Sequence, residues 1–159
     1  EIIPYTESAD KLPAISKYYD YDEGAPGKSA QSNGITCIYR YAEVLLMYAE
    51  ASTRATNSVN QDALNAIQEV QKRAGYQDRQ IELTTTTEPT AFLAAVSNER
   101  GWEFFAEMKR WFELVRLEKV KEVRAEEWDA STFNTNHHYY FPVPYQQVDL
   151  AGWTNNAGY

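Results

Sequence analysis

Residues 41 to 56, YAEVLLMYAEASTRAT, combine strong helix formers with a nearly continuous apolar run from Val44 to Ala49. A helix that apolar has to be covered on more than one side. Its stripe of Glu43, Met47, Glu50 and Arg54 follows helical spacing and faces water or a buried ionic partner, with Glu50 one turn before Arg54. After NSVN, Asn60 caps a second helix, QDALNAIQEVQKRA, whose Leu64, Ile67, Val70 and Ala74 share a face and whose end is marked by Gly75. Two helices joined by a short polar turn predict an antiparallel hairpin. A third helix opens at Thr87, Glu88 and Pro89, which supply a capping hydroxyl, an acid in the first turn and a proline where its missing N–H costs nothing. It is expected to run through NERGWEFFAEMKRWFELVR, residues 98–116, to about Val123, with Gly101 and the region of Arg116 as the places for a kink or break.

On a helical wheel Gly101, Phe104, Phe105, Met108, Trp111, Phe112 and Val115 share one broad arc that continues Leu93 and Val96, and this arc predicts core packing. Trp102 lies to the side, with Ala106 one turn later. Glu99, Glu103 and Glu107 form a line of like charges spaced four apart, which on a bare helix is destabilising. Arg100 beside Glu103, Arg110 beside Glu107 and Lys109 beside Glu113 are the local bases expected to compensate it, leaving Glu99 without one.

The remaining segments break both periods. Residues 4–34 hold three of the six prolines and three of the seven glycines and read as a long surface loop. YQDRQIELTTTTEP and RAEEWDASTFNTNHH are also loop-like, YYFPVP is extended because each proline disfavours helix before it, and one or two helical turns fall around Gln146 to Leu150. No alternating strand series appears, so the fold is mainly α with long irregular connections. At 159 residues the chain fits one domain, residues 1–159, which would bury roughly 68–70% of its unfolded surface.

Charge narrows the function. The 15 basic and 23 acidic residues give a formal charge of −8, which repels a phosphate backbone and an anionic membrane face, so nucleic acid is not an expected partner. No run approaches the ~18 apolar residues of a membrane span, and EIIPYTESADK lacks the plan of a signal peptide. The chain starts without Met, in a proline-containing segment that reads like the middle of a longer protein. Cys37, the single cysteine, excludes an internal disulfide and is expected to be a small apolar filler. Twelve Tyr and four Trp are unusually many and suggest amphipathic contact surfaces.

Catalytic and cofactor motifs are weak. DEGAPGKS carries Gly27, Lys28 and Ser29 in phosphate-loop order, but Asp22 stands where the first glycine is required and no apolar strand precedes it. His137 and His138 are adjacent and point to opposite sides of an extended segment, so they cannot readily share a metal. Asp20, Asp22 and Glu23 lack the glycine and terminal acid of a calcium loop. Carboxylates four apart on a helix reach the separations of about 5–9 Å that glycosidases use. Glycosidase acids, however, need unlike environments, and here each Glu has the same arginine-rich neighbourhood. The sequence therefore predicts no enzyme, no metal and no cofactor, and a buried Glu/Arg network between helices.

The order of pieces is more specific than any one of them. RYAEVLLMYAEA (40–51), ALNAIQEVQKRAG (63–75), ERGWEFFAEMKRWFELVR (99–116), FPVPYQQVDL and the closing NNAGY resemble the C-terminal part of the SusD/RagB family. The family's forms are close to R-Y-A-E-V-L-L-x-x-A-E-A, a helix ending R-x-R-A-G, E-R-R-x-E-x-x-x-E-G-x-R-W-x-D-L-x-R, P-I-P and Q-N-P-G-Y. Arg40, Glu43, Glu50, Arg73, Glu99, Arg100, Glu103, Glu107, Arg110, Trp111, Leu114 and Arg116 fall on matching positions. Gly101, Met108, Glu113 and Ala157 depart from it, and Met108 replaces a glycine whose loss removes a helix break, on which the continuous third helix depends.

The resemblance implies tetratricopeptide-like helical hairpins and a surface lipoprotein of a Gram-negative outer membrane. Such a protein binds nutrients, typically oligosaccharides, and passes them to a TonB-dependent SusC-like transporter without acting as an enzyme. Its lipid anchor would lie outside this chain. The matched positions Arg40, Glu43, Glu50, Glu99, Arg100, Glu103, Glu107, Arg110 and Arg116 then form a structural charge network rather than a ligand site. Sugar contacts in the family come largely from loop aromatics upstream of this region, and Tyr18, Tyr19, Tyr21, Trp128 and Trp153 are the candidates here. The alternative is an interaction module, with the hairpin of residues 41–74 docking the parent protein on its transporter.

Overall fold

The structure, a computed structural model, describes Lys17 and residues 37–123 and 139–159. Apart from Lys17, the loops expected over 4–34 and 124–138 lie outside the described residues, and with them the DEGAPGKS segment, Asp20, Asp22, Glu23, His137 and His138. The described residues form helices α1 (Tyr41–Thr56), α2 (Gln61–Arg73), α3 (Pro89–Glu103), α4 (Arg110–Arg116), α5 (Val120–Val123) and α6 (Tyr145–Ala151), with no strand among them. The fold is mainly α, and α1 and α2 form its tetratricopeptide-like hairpin. The chain divides into two compact units, Glu1–Glu107 and Met108–Tyr159.

In the first unit the turn chemistry acts where the sequence puts it. Asn57 ends α1 at φ 49°, a left-handed conformation that Asn tolerates. The Asn60 side chain accepts from the Ala63 N–H at 2.8 Å, and its amide donates to Ser52 Oγ at 2.9 Å, so the cap of α2 is tied back to α1. After α2, Gly75 turns at φ 78° while the N–H groups of Ala74, Gly75 and Tyr76 bond to carbonyls of the last turn. At α3 the cap is Glu88 rather than Thr87, its carboxylate accepting from Ala91 N at 2.6 Å and Thr90 N at 3.1 Å. A carboxylate reaches two of the orphan donors and complements the helix N-terminus, which a hydroxyl does less well. Those two bonds, Ala91 first, hold the Glu88 carboxyl below its ordinary range.

Leu46 and Ala49 of α1, Ile67 and Val70 of α2, and Phe92 and Val96 of α3 meet in one core, with Phe104 closing it. α1 is covered on one side only: Tyr41, Val44, Met47 and Tyr48 stay exposed, because α2 and α3 both pack against the face that carries Glu43, Leu46, Ala49 and Thr53. Cys37 is exposed ahead of α1, not a core filler.

The expected continuous third helix is broken. It ends at Glu103, and Ala106 at φ 65° and Met108 at φ 59° adopt left-handed conformations before α4 begins. The aromatic arc is dismantled with it: Phe104 is buried, while Phe105, Met108 and Phe112 are exposed. Met108 therefore keeps the break that glycine makes in the family pattern, at a steric cost that glycine avoids. Met108→Gly is expected to raise the unfolding free energy by about 1 kcal/mol, since the 89%-exposed side chain has little packing to lose. Urea denaturation of the two proteins measures it.

In the second unit Leu114 and Val120 are buried where α4 meets α5. Trp111 packs on Phe141 with ring centroids 6.2 Å apart. The extended FPVP segment is held by the chain end: Asn155 accepts from Val143 N at 2.8 Å, Asn156 donates to Phe141 O at 2.6 Å, and the Tyr159 hydroxyl donates to Tyr140 O at 3.1 Å.

Candidate functional site

The densest chemistry of the first unit lies where the chain enters α1 and leaves α3. Arg40 donates through Nε and Nη2 to the two Glu107 oxygens at 3.1 and 2.7 Å, and through Nη1 and Nη2 to the Glu103 carboxylate and carbonyl at 2.8 and 3.1 Å. The other Glu103 oxygen accepts from Arg73. Lys17 donates to Glu107 at 2.6 Å and to the carbonyls of Glu103 and Phe105 at 2.7 and 3.1 Å. These cations take up carbonyls that a continuing helix would have used, which is the physical reason the helix stops at Glu103 in spite of its apolar period. The guanidinium groups of Arg40 and Arg100 both lie over the Phe104 ring, 5.0 and 5.3 Å from its centroid.

All four carboxylate oxygens of Glu103 and Glu107 thus face cations. The bond to Glu107, set against burial, pushes the Arg40 pKa above its ordinary value. Burial is the largest single influence on Glu107 and would raise it, yet the bonds from Arg40 and Lys17 together outweigh burial and hold the carboxyl below its ordinary 4.5. A carboxyl whose pKa is lower in the folded state gives stability that is complete above its unfolded pKa and is lost as pH falls through the folded one. Unfolding free energy is therefore expected to begin falling below about pH 4.5, and Glu107→Gln to remove that part of the profile in denaturant titrations.

The charge network differs in its pairings from the local bases the spacing suggests. Arg100 turns to Glu43, 3.6 Å away, and not to Glu103, and Arg110 bonds Glu113 at 3.2 Å. Glu50 and Arg54 pair at 2.8 Å on the surface of α1, and Arg116 is exposed at the end of α4. Glu99, 1% exposed, accepts from the Tyr76 hydroxyl at 2.7 Å and the Gln71 amide at 3.1 Å. Burial first, then the bond to Glu99, pushes the Tyr76 pKa up, so the phenol stays a neutral donor. Gln71 also donates to Thr84 Oγ1 and accepts from Thr84 N, both at 2.9 Å, which pins the loop after Tyr76 against α2.

That pinned loop and α3 enclose a hollow of about 410 Å³, bounded by Tyr76, Ile81, Glu82, Ala95, Asn98 and Trp102. Of the loop aromatics expected to touch ligand, Tyr18, Tyr19, Tyr21 and Trp128 lie outside the described residues. Trp153 lies in the second unit, 58% exposed just after α6, its backbone N–H bonded to Gln147 O at 3.4 Å. Trp102, set apart from the aromatic arc by its wheel position, is 65% exposed.

Comparison with known proteins agrees with this architecture. The family model of the SusD family matches residues 4–159. SusD-like protein P25 of Formosa agariphila is 27% identical over 87% of this chain, and SusD-like protein P2 of the same organism 28% identical over 100% of it. The chain spans only 26% and 34% of those relatives' lengths. Among solved structures, a SusD homolog from Bacteroides thetaiotaomicron superposes on 77% of the chain at a TM-score of 0.64 with 29% identity, and covers by this match 26% of its own length. A SusD superfamily protein from Parabacteroides distasonis matches 77% of the chain at the same TM-score and identity, over 27% of its own length.

Proposed function

The chain belongs to the SusD family, and from that premise we propose that it is part of a cell-surface protein that binds nutrients in the form of oligosaccharides for a TonB-dependent SusC-like transporter. The parent protein would be held at the outer membrane by a lipid anchor outside this chain; among the described residues no helix is long and apolar enough to cross a membrane. The observation that carries the proposal is the family match over residues 4–159, together with the ion network that joins three of the family's charged positions, Arg40, Glu103 and Glu107. Carboxylates saturated by cations support a scaffold role for those positions and binding rather than catalysis for the protein. Affinity electrophoresis of the full-length natural protein through gels holding single soluble polysaccharides tests it. Retardation by at least one glycan is expected, and unretarded migration through all of them counts against the proposal.

A second reading is favoured by one observation. Tyr41, Val44 and Tyr48, at i, i+3 and i+7 on α1, form an exposed apolar stripe, 67%, 51% and 45% exposed, fit for contact with a protein partner. If this face docks the parent protein on its transporter, replacing the three by Ser lowers copurification of the transporter; undiminished copurification removes the reading.

A further inference from the structure

We propose that the hollow beside Trp102 is a subsite for the end of a neutral saccharide, a direct ligand contact within the part of the chain otherwise given over to scaffold. The inference rests on the glycan-binding reading above and adds a place to it. Trp102 and Asn98 are one turn apart on the same face of α3, and the loop carrying Ile81 and Glu82 stands opposite them. The hollow, about 410 Å³, is within the range of roughly 300–1,000 Å³ usual for small-molecule sites.

Its floor and its rim differ in a way that suits a ligand. The floor is satisfied and fixed: Tyr76 and Gln71 spend their polar atoms on Glu99 and Thr84, and Ile81 N donates to Tyr76 O at 2.8 Å. On the rim, the Trp102 indole N–H, the Asn98 amide and the Glu82 carboxylate have no protein partner among the described residues. A pyranose offers the matching set: a face of polarised C–H groups for the electron-rich indole, and hydroxyls that both donate to a carboxylate and accept from an amide. A planar apolar ligand would leave the carboxylate and amide unused. A sulfated or uronate chain would bring its negative charge against Glu82, with no lysine or arginine among the described residues that line the hollow to offset it. The chemistry therefore selects neutral sugars.

The full-length protein labelled with 5-fluorotryptophan supplies a readout at the site, with the Trp102 resonance assigned by its absence in Trp102→Phe. Neutral gluco-, xylo- and manno-oligosaccharides and an oligogalacturonate are titrated in turn, and the same polysaccharide classes are used in affinity electrophoresis. The expected result is a saturable shift of the Trp102 resonance with at least one neutral series and none with oligogalacturonate. Trp102→Ala then weakens binding of that sugar roughly tenfold, with circular dichroism unchanged. A sugar that retards the wild-type protein but leaves the Trp102 resonance and the Trp102→Ala affinity untouched overturns the subsite and leaves the glycan-binding reading standing. Absence of retardation by every glycan, with a still Trp102 resonance, overturns both.

Discussion

Glu103→Gln is expected to lower the unfolding free energy by about 2–3 kcal/mol, a drop of several degrees in Tm. The Glu103 side chain is 6% exposed and accepts from Arg40 on one oxygen and from Arg73 on the other. Gln keeps the shape and one acceptor, but its NH₂ must then face one of the two guanidinium groups, donor against donor. Arg73, 62% exposed on its side chain, regains water easily, whereas Arg40 at 27% regains it less well. The loss therefore falls mainly on the Arg40 side. Arg40→Ala in the Glu103→Gln background should cost less than Arg40→Ala alone, the mark of a shared interaction, and a denaturant-based double-mutant cycle reads that difference.

Phe92→Ala should cost more, about 3–5 kcal/mol. Phe92 is fully buried, at 0% exposure, and stands in the core with Leu46 and Ala49 of α1 and Ile67 and Val70 of α2. Truncation leaves a void lined by three helices, which relax around it only in part. Thermal unfolding of the full-length protein followed by circular dichroism checks it. A loss no larger than an ordinary surface substitution, within about 0.5 kcal/mol, would mean that α3 is not part of this core.

The hairpin was legible because its signals are local. Asn60 caps the helix three residues before Ala63, Gly75 turns where α2 ends, and Leu64, Ile67 and Val70 point the same way by counting alone. The break after Glu103 was not legible, since it is dictated by Arg40 and Lys17, which lie 63 and 86 residues earlier and take the helix-end carbonyls. Without them the apolar period reads straight through Met108, and the left-handed turn there falls to a residue type that rarely adopts it. The same reason explains the charge pairings. Counting three and four along a helix finds only neighbours on its own surface, so Glu103 is assigned to Arg100, whereas α3 delivers it to Arg40 and Arg73 and turns Arg100 to Glu43. At the hollow, Trp102 stood out by lying off the core arc. Its opposing wall comes from YQDRQIELTTTTEP, which has no period to read and is placed by the bonds of Gln71 and Thr84.

The central claim is that the Glu103 and Glu107 network holds the fold while ligand is bound elsewhere. The most direct test is calorimetric titration of the full-length protein with whichever glycan it retains, comparing wild type and Glu103→Gln at a temperature where both are folded, alongside their Tm values. The account predicts an unchanged Kd and a lowered Tm for Glu103→Gln. A Kd weakened severalfold with Tm unchanged would contradict it and place Glu103 in the binding site itself.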